Sequence, residues 1–483
     1  MKKFYILAIV LFSAGISPCV AQYDTLFSFK GTISPFGSHP WGSLTISGSK
    51  VYGMTSQGGA NPTYGCVFSA DTDGSHYKDI LDFNNTNGGE PQFGTLVLSN
   101  GVLYGMTYVG GSNGGGLIFS VDTGGHRYKD MNDLGSNAPN PTGSLILVGK
   151  KLYGMTPYGG THNSGNIFCI DSNGTGYRDM FDFSGSNGEY PYGTLTQVGN
   201  KLYGGATDGG AHNDGDVFSI DTGGTGFRDL YDFTGATGAN PCWGGSLTLI
   251  KDKLFGLAES GGAHNYGAIF SIDTNGSGYT DMLDFTGSSG PNYGGWPNGS
   301  LTLWGNTLYG LAPDYGLNGG GSMFSIDTNG TGFKDMYDFG NTTGSRPYGS
   351  LTIEGNELYG MTFYVGISGT GDGVVFKYRD TAIHPVIPPN AINNLVAVSP
   401  SIRLYPNPNT GVFTLQIKNY ELGITNQVEV FNMLGEKVYS ATLSTVNSTL
   451  SINLSSQPSG VYLYRVLSET GDFVSGGKFV IQK

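Results

Sequence analysis

Charge is scarce in this chain: only 13% of its 483 residues are Asp, Glu, Lys or Arg, about half the usual share. Basic residues are the scarcer kind, with 24 Lys and Arg against 37 Asp and Glu, for a formal charge of −13. This excludes the electrostatic footprint of a nucleic-acid binder. Cysteine is scarcer still. Cys19 falls in the leader described below, so Cys66, Cys169 and Cys242 remain, an odd number that indicates no disulfide framework. Long apolar runs are missing after residue 21: none approaches the roughly 18 residues of a bilayer-spanning helix, so no transmembrane segment is predicted. Helical periodicity is missing too. Over the first 380 residues no 3.6-residue apolar period is sustained beyond the extreme N-terminus, and glycine would cost a helix up to about 1 kcal/mol per site.

What is present begins with a leader. MKKFYILAIVLFSAGISPCVA, residues 1–21, has a basic start (Lys2, Lys3), an apolar run from Phe4 to Ile16, and small residues Cys19 and Ala21 before Gln22. This is the pattern of a cleaved secretory signal peptide. A lipoprotein reading would acylate Cys19, and Pro18 fits that poorly.

Glycine then dominates, at 82 residues, beside 30 Tyr and 27 Phe. With no collagen period, this is the composition of a turn-rich, aromatic all-β protein. The aromatic of an L-Y-G-M-T motif recurs as Tyr52, Tyr104, Tyr153, Tyr203, Phe255, Tyr309 and Tyr359, a mean spacing of about 51 residues, which is a propeller-blade period. Each unit reads as four short strands, G-S-L-T-L, K-L-Y-G-M-T, I-F-S-I-D and Y-x-D-M-x-D-F, separated by Gly, Asn and Pro. The seventh unit stops at Tyr378 without its fourth strand. YDTLFSF, residues 23–29, matches that strand and precedes the first unit. The expectation is a seven-bladed β-propeller over residues 22–380, velcro-closed by the N-terminal strand so that no sheet edge stays open.

The D-T-N-G stretch between the third and fourth strands has the look of a calcium loop, but Asp73 of the first copy becomes Gly124 and Gly223 in two others. It is read as a tight hairpin that uses glycine for positive φ. The strand-four aspartates, such as Asp335 and Asp338, are read as solubilising charges on outer strands. The blade pattern resembles the Kelch and wider β-propeller group, and the hairpin resembles the sialidase Asp-box, in which the Asp caps a turn. The consensus LYGMT, GG, IFSIDTNGTGY and DF is most similar to the bacterial Gloeo-Verruco tandem repeat, which implies a propeller in an exported protein and no defined activity.

Residues 381–399, including AIHPVIPPNAINN, read as a proline-bearing linker. From 400 to 483, alternating segments predict a small immunoglobulin-like β-sandwich. YPNP (405–408), FNMLGEKV (431–438), SGVYLYRV (459–466) and the terminal GKFVIQK resemble the type A C-terminal sorting domain of the type IX secretion system. That resemblance implies the type IX machinery as a partner and secretion, or display on a Gram-negative cell surface.

For function, the expected face carries the loops from strand four to the next strand one and from strand two to strand three. The three longest of the former, Phe29 to Gly42, Phe233 to Gly245 and Phe285 to Gly299, hold Trp41, Trp243 and Trp296, with Tyr192 and Tyr348 at comparable places in shorter loops. Placed in one sector of the ring, these aromatics could stack on sugar rings or anchor a protein. The bland alternative is that they pack loop on loop. His162, His212 and His264, each followed by Asn, are the other candidates; as one residue per blade they read as turn elements rather than a zinc or copper centre. No nucleophile motif, metal site or cofactor signature is visible. The expected function is a binding module for an extracellular glycan or surface protein, not an enzyme; the alternatives are a glycosidase or lyase using Glu90, Glu189, Asp208, Glu259 or Asp314, or a structural surface component.

Overall fold

The computed structural model describes residues 22–30, 36–135, 137–340, 342–364, 371–380, 401–405, 409–418, 426–432, 436–443, 449–467 and 473–483. The expected leader at 1–21 and linker at 381–399 lie outside them. The chain divides into two compact units, residues 1–385 and 386–483.

In the first unit the described residues form seven antiparallel sheets of at least four strands. Blade 1 is Thr45–Ser47, Lys50–Thr55, Cys66–Asp71 and Lys78–Asp82. Blades 2 to 6 repeat this order from Val97, Ile146, Thr196, Thr248 and Asn298. Blade 7 takes Thr352–Glu354, Glu357–Thr362 and Val374–Arg379 from the end of the repeat region and Gln22–Ser28 from its beginning. Gln22 pairs with Arg379 and Ser28 with Val374, across a bulge between Thr25 and Phe27. Velcro closure is therefore a strand pairing along the full edge.

The repeat motifs explain the packing. The glycine of each L-Y-G-M-T lies directly across from the phenylalanine of I-F-S-I-D: Gly53 from Phe68, Gly154 from Phe168, Gly310 from Phe324. A Cβ on Gly154 would lie 2.5 Å from Phe168 Cζ, so the ring occupies the room that a side chain would need. That ring is fully buried, like its six counterparts, among seven apolar clusters that each join one blade to the next. Gly154→Ala is expected to cost about 1–3 kcal/mol, the usual penalty of overpacking a core. The urea midpoint measures it, and Phe168→Leu in the same chain should restore part of the loss.

Along the axis the first strands hand hydrogen bonds from blade to blade. Ser144 N donates to Thr194 Oγ1 at 2.8 Å, Ser300 N to Ser350 Oγ at 2.8 Å, and Ser350 N to Ser43 Oγ at 2.7 Å, which closes the circle. A Cβ on Gly349 would lie 2.1 Å from the carbonyl oxygen of Gly42. Glycine thus lets neighbouring inner strands touch backbone to backbone.

The D-T-N-G stretches are hairpins, as expected. Gly74 has a φ of 85° and donates to Asp71 O at 2.8 Å. The hairpin aspartates meet lysine: Asp71 pairs with Lys50 at 2.6 Å and Asp171 with Lys151 at 2.7 Å. The strand-four aspartates differ from expectation. The second of each pair reaches the loop between strands two and three, where Asp82 Oδ1 accepts from Ala60 N at 2.6 Å and Asp232 Oδ1 from Ala211 N at 2.7 Å. They hold loops whose backbone donors would otherwise lack partners.

The second unit is a β-sandwich. Ser401–Tyr405, Val412–Lys418 and Thr449–Asn453 form one sheet; Lys437–Leu443, Asn426–Phe431, Gly460–Leu467 and Phe473–Ile481 form the other. Phe413, Leu415, Val428, Ile452, Tyr462 and Phe479 fill its core.

Candidate functional site

Each first strand starts from a variant of P-x-G-[ST]-L, and the residue just before the glycine, or two before it in blade 5, faces one cavity at the end of the axis. Its lining takes Trp41, Phe93, Thr142, Tyr192, Trp243, Asn298 and Tyr348, one residue from each blade, joined by Gln92, Tyr108, Tyr158 and Glu259. The volume is about 340 Å³, within the range of small-ligand sites. The rings touch one another. Trp243 stacks on Tyr192 with centroids 4.5 Å apart, and Trp41 lies 4.6 Å from Tyr348 and 4.8 Å from Phe93. The hydroxyls of Tyr158 and Tyr192 share a 2.6 Å hydrogen bond.

A second ring surrounds the first. The residue before each of the seven prolines, His39, Glu90, Asn140, Tyr190, Asn240, Trp296 or Arg346, has a φ between 50° and 59°. Seven non-glycine residues in this left-handed region, each before proline, hold strain that the surrounding structure must offset. Backbone bonds to the end of strand two do so: Ser56 N donates to His39 O at 3.1 Å and Phe363 N to Arg346 O at 3.0 Å. All seven side chains are presented by the same turn, and nearly all differ in chemistry.

Trp296 belongs to this outer ring. It lines a separate cavity of about 600 Å³ with Glu259, Ser260, His264, Asn265, Tyr266 and Tyr315, and it remains 41% exposed. Glu259 reaches both cavities. Burial pushes its carboxyl up to about 7, while Asn298 Nδ2 lies 3.5 Å from its Oε1. Asp208 accepts from Asn240 Nδ2 at 2.9 Å, and Asp314 lies 3.6 Å from Arg346 Nε.

Four of the five aromatics singled out from sequence, Trp41, Tyr192, Trp243 and Tyr348, thus line one cavity, and Trp296 lines the other. The arrangement differs from a one-sector stripe because the shared cavity is axial and draws on all blades. His162, His212 and His264 sit on exposed turns of three different blades, each followed by an asparagine with φ of 57°, 64° and 61°, and of the three His264 lines the cavity that holds Trp296. Sequence reasoning missed Gln92, Tyr108 and Tyr158, and with them Phe93, Thr142 and Asn298. The signal of the last three was the step before the repeat glycine, which holds where loop length varies.

The Gloeobacter/Verrucomicrobia repeat model matches three overlapping stretches, residues 11–204, 63–250 and 243–387. The chain belongs to the Gloeobacter/Verrucomicrobia repeat family. Residues 403–482 match the secretion system C-terminal sorting domain, so this repeat protein is exported by type IX secretion to the cell surface or the medium. No curated protein matches it in sequence. Among solved structures, it is similar to PorZ, an essential bacterial surface component of the type IX secretion system of Porphyromonas gingivalis, at 13% identity and a TM-score of 0.47 over 94% of this chain and 61% of that one. It is also similar to an oligogalacturonate lyase in complex with manganese (11%, TM-score 0.45, 74% and 96% covered) and to a puromycin-hydrolysing peptidase of Mycobacterium tuberculosis (11%, 0.47, 82% and 61%). The chain spans about three fifths of the first and last of these. Scores this low carry nothing about activity.

Proposed function

We propose that this repeat protein is an exported binding module whose axial mouth takes an extracellular glycan. The observation that carries the reading is the convergence of all seven blades on one aromatic cavity. Indole and phenol faces stack on the apolar faces of sugar rings, while the partnerless amide oxygen of Asn298 and the carboxyl of Glu259 supply hydroxyl partners. The charged groups at the mouth favour a neutral glycan over an anionic one, since Arg346 is already paired with Asp314.

A glycan array probed with the full chain tests the proposal, and a protein ligand in place of a sugar would redirect it. Trp41→Ala with Trp243→Ala should then weaken the sugar found at least about tenfold, because two stacking losses of order 1 kcal/mol each exceed the 1.4 kcal/mol of a decade. Unchanged affinity with an intact melting curve would return both indoles to loop packing. One observation favours a second reading, cleavage of the bound glycan: burial pushes the Glu259 carboxyl up to about 7, which keeps part of it protonated at neutral pH, as a general acid needs. Turnover lost in Glu259→Gln with binding retained would support it.

A further inference from the structure

Blade 4 breaks the repeat at one buried position. The third strand begins with Cys66, Leu117, Asn166, Ala268, Ser322 or Val374 in the other blades, and with Asp216 here. Asp216 is fully buried, no side chain donates a hydrogen bond to either of its carboxylate oxygens, and the backbone N–H of Ala206 beside it falls short of hydrogen-bond geometry. It faces Asp232 directly across the sheet. Oxygens of Asp216, Asp229 and Asp232 all lie within 4.8 Å of one another.

Two of these three carboxylates need no special account. Blades 1 to 6 all carry the strand-four pair, from Asp79 and Asp82 to Asp335 and Asp338. What the other blades put against that pair is informative. In blade 3, Asn166 Nδ2 donates to Asp179 Oδ2 at 3.1 Å and to Asn137 O at 3.0 Å. In blade 1, the Cys66 thiol donates to Asp79 Oδ1 at 3.3 Å. Blade 4 instead turns an acceptor toward two acceptors. No ion pair among the described residues involves any of the three. Like charges this close cannot all be ionised without compensation, so a proton or a cation must lie between them.

We propose that Asp216, Asp229 and Asp232 bind a hard divalent cation, calcium in the extracellular setting to which the protein is exported. An anionic, all-oxygen donor set suits calcium rather than a soft or imidazole-seeking metal. Asp229 is exposed and Asp232 partly so, which leaves a solvent side for entry and for water ligands. Calcium sites of extracellular modules work at Kd of about 10⁻⁴ to 10⁻³ M. Bound there, the ion ties strand three to strand four at the outer edge of one blade, where blades 1 and 3 use a thiol or an amide.

The test compares the full chain with its Asp216→Asn variant, which copies the arrangement of Asn166 and should therefore fold. Calcium at a hundredfold excess over Kd is expected to raise the wild-type Tm by about 3 °C relative to chelator. In Asp216→Asn that rise should vanish, calorimetric calcium affinity should fall at least about tenfold, and the Tm in chelator should not drop. Asp216→Ser, which copies Ser322 of blade 6, serves if the first variant misfolds. Wild-type protein indifferent to calcium, magnesium and manganese would overturn the proposal and leave a shared proton. A calcium response that survives in both variants would overturn it equally, because the ion would then bind elsewhere.

Discussion

A chain that begins at Lys30 is expected to lose cooperative unfolding and to aggregate. The missing residues are the whole fourth strand of blade 7 and the phenylalanine that follows it. Their removal strips Val374–Arg379 of its pairing partner along the full edge. It also removes Phe29, which is fully buried between blades 7 and 1, and Tyr23, which stacks on Tyr337 of blade 6 with centroids 4.2 Å apart. Deleting one buried phenylalanine costs about 3–5 kcal/mol, against a total stability of about 5–15 kcal/mol for a typical domain. The freed edge is long and apolar, with Val374, Val375 and Phe376 in sequence, and such an edge is a template for pairing between molecules. Scanning calorimetry and light scattering decide the matter. A truncated chain that melts in one transition at the parent temperature would show that the hydroxyl and glycine contacts around the axis close the ring without the strand.

The propeller was legible in the sequence because its determinants repeat: the glycine that faces phenylalanine, the D-T-N-G hairpin and the orphan first strand each recur or leave a gap that can be counted. The strand-four aspartates were misread because their partners, such as Ala60 N for Asp82 and Ala211 N for Asp232, lie some twenty residues upstream, beyond any local pattern. The binding face was legible only in part. Loop length led to Trp41, Trp243 and Trp296 alike, yet Trp296 precedes a proline with φ of 54°, and that backbone state moves it to the outer ring. The seven prolines are plain in the sequence, but a residue before proline ordinarily takes an extended backbone, so the left-handed state is not. Asp216 was invisible for the opposite reason. A single departure from a repeat looks like drift until its burial and its missing partners are known.

Export gives the other large effect. Removing residues 400–483 is expected to hold the propeller inside the outer membrane, with its extracellular share reduced at least tenfold while it stays folded. Folding should survive because the two units have separate cores: among the described residues the sandwich cluster draws on residues from Leu404 to Ile481, and the seven blade clusters end at Tyr378. A point variant separates recognition of the folded sandwich from recognition of its sequence. Phe479 is fully buried and lies 4.4 Å from Phe413, centroid to centroid. Phe479→Asp empties a buried aromatic site and places an unpaired carboxyl in that core, a cost comparable to the whole stability of a small sandwich, and leaves the rest of the domain's sequence intact. If the secretion machinery reads a folded domain, this variant should be retained like the deletion, with the propeller melting as in the parent. Secretion of the point variant alone would mean that a linear signal suffices. Secretion of the deletion from intact cells would mean that the domain is not the address at all, and that the propeller itself carries it.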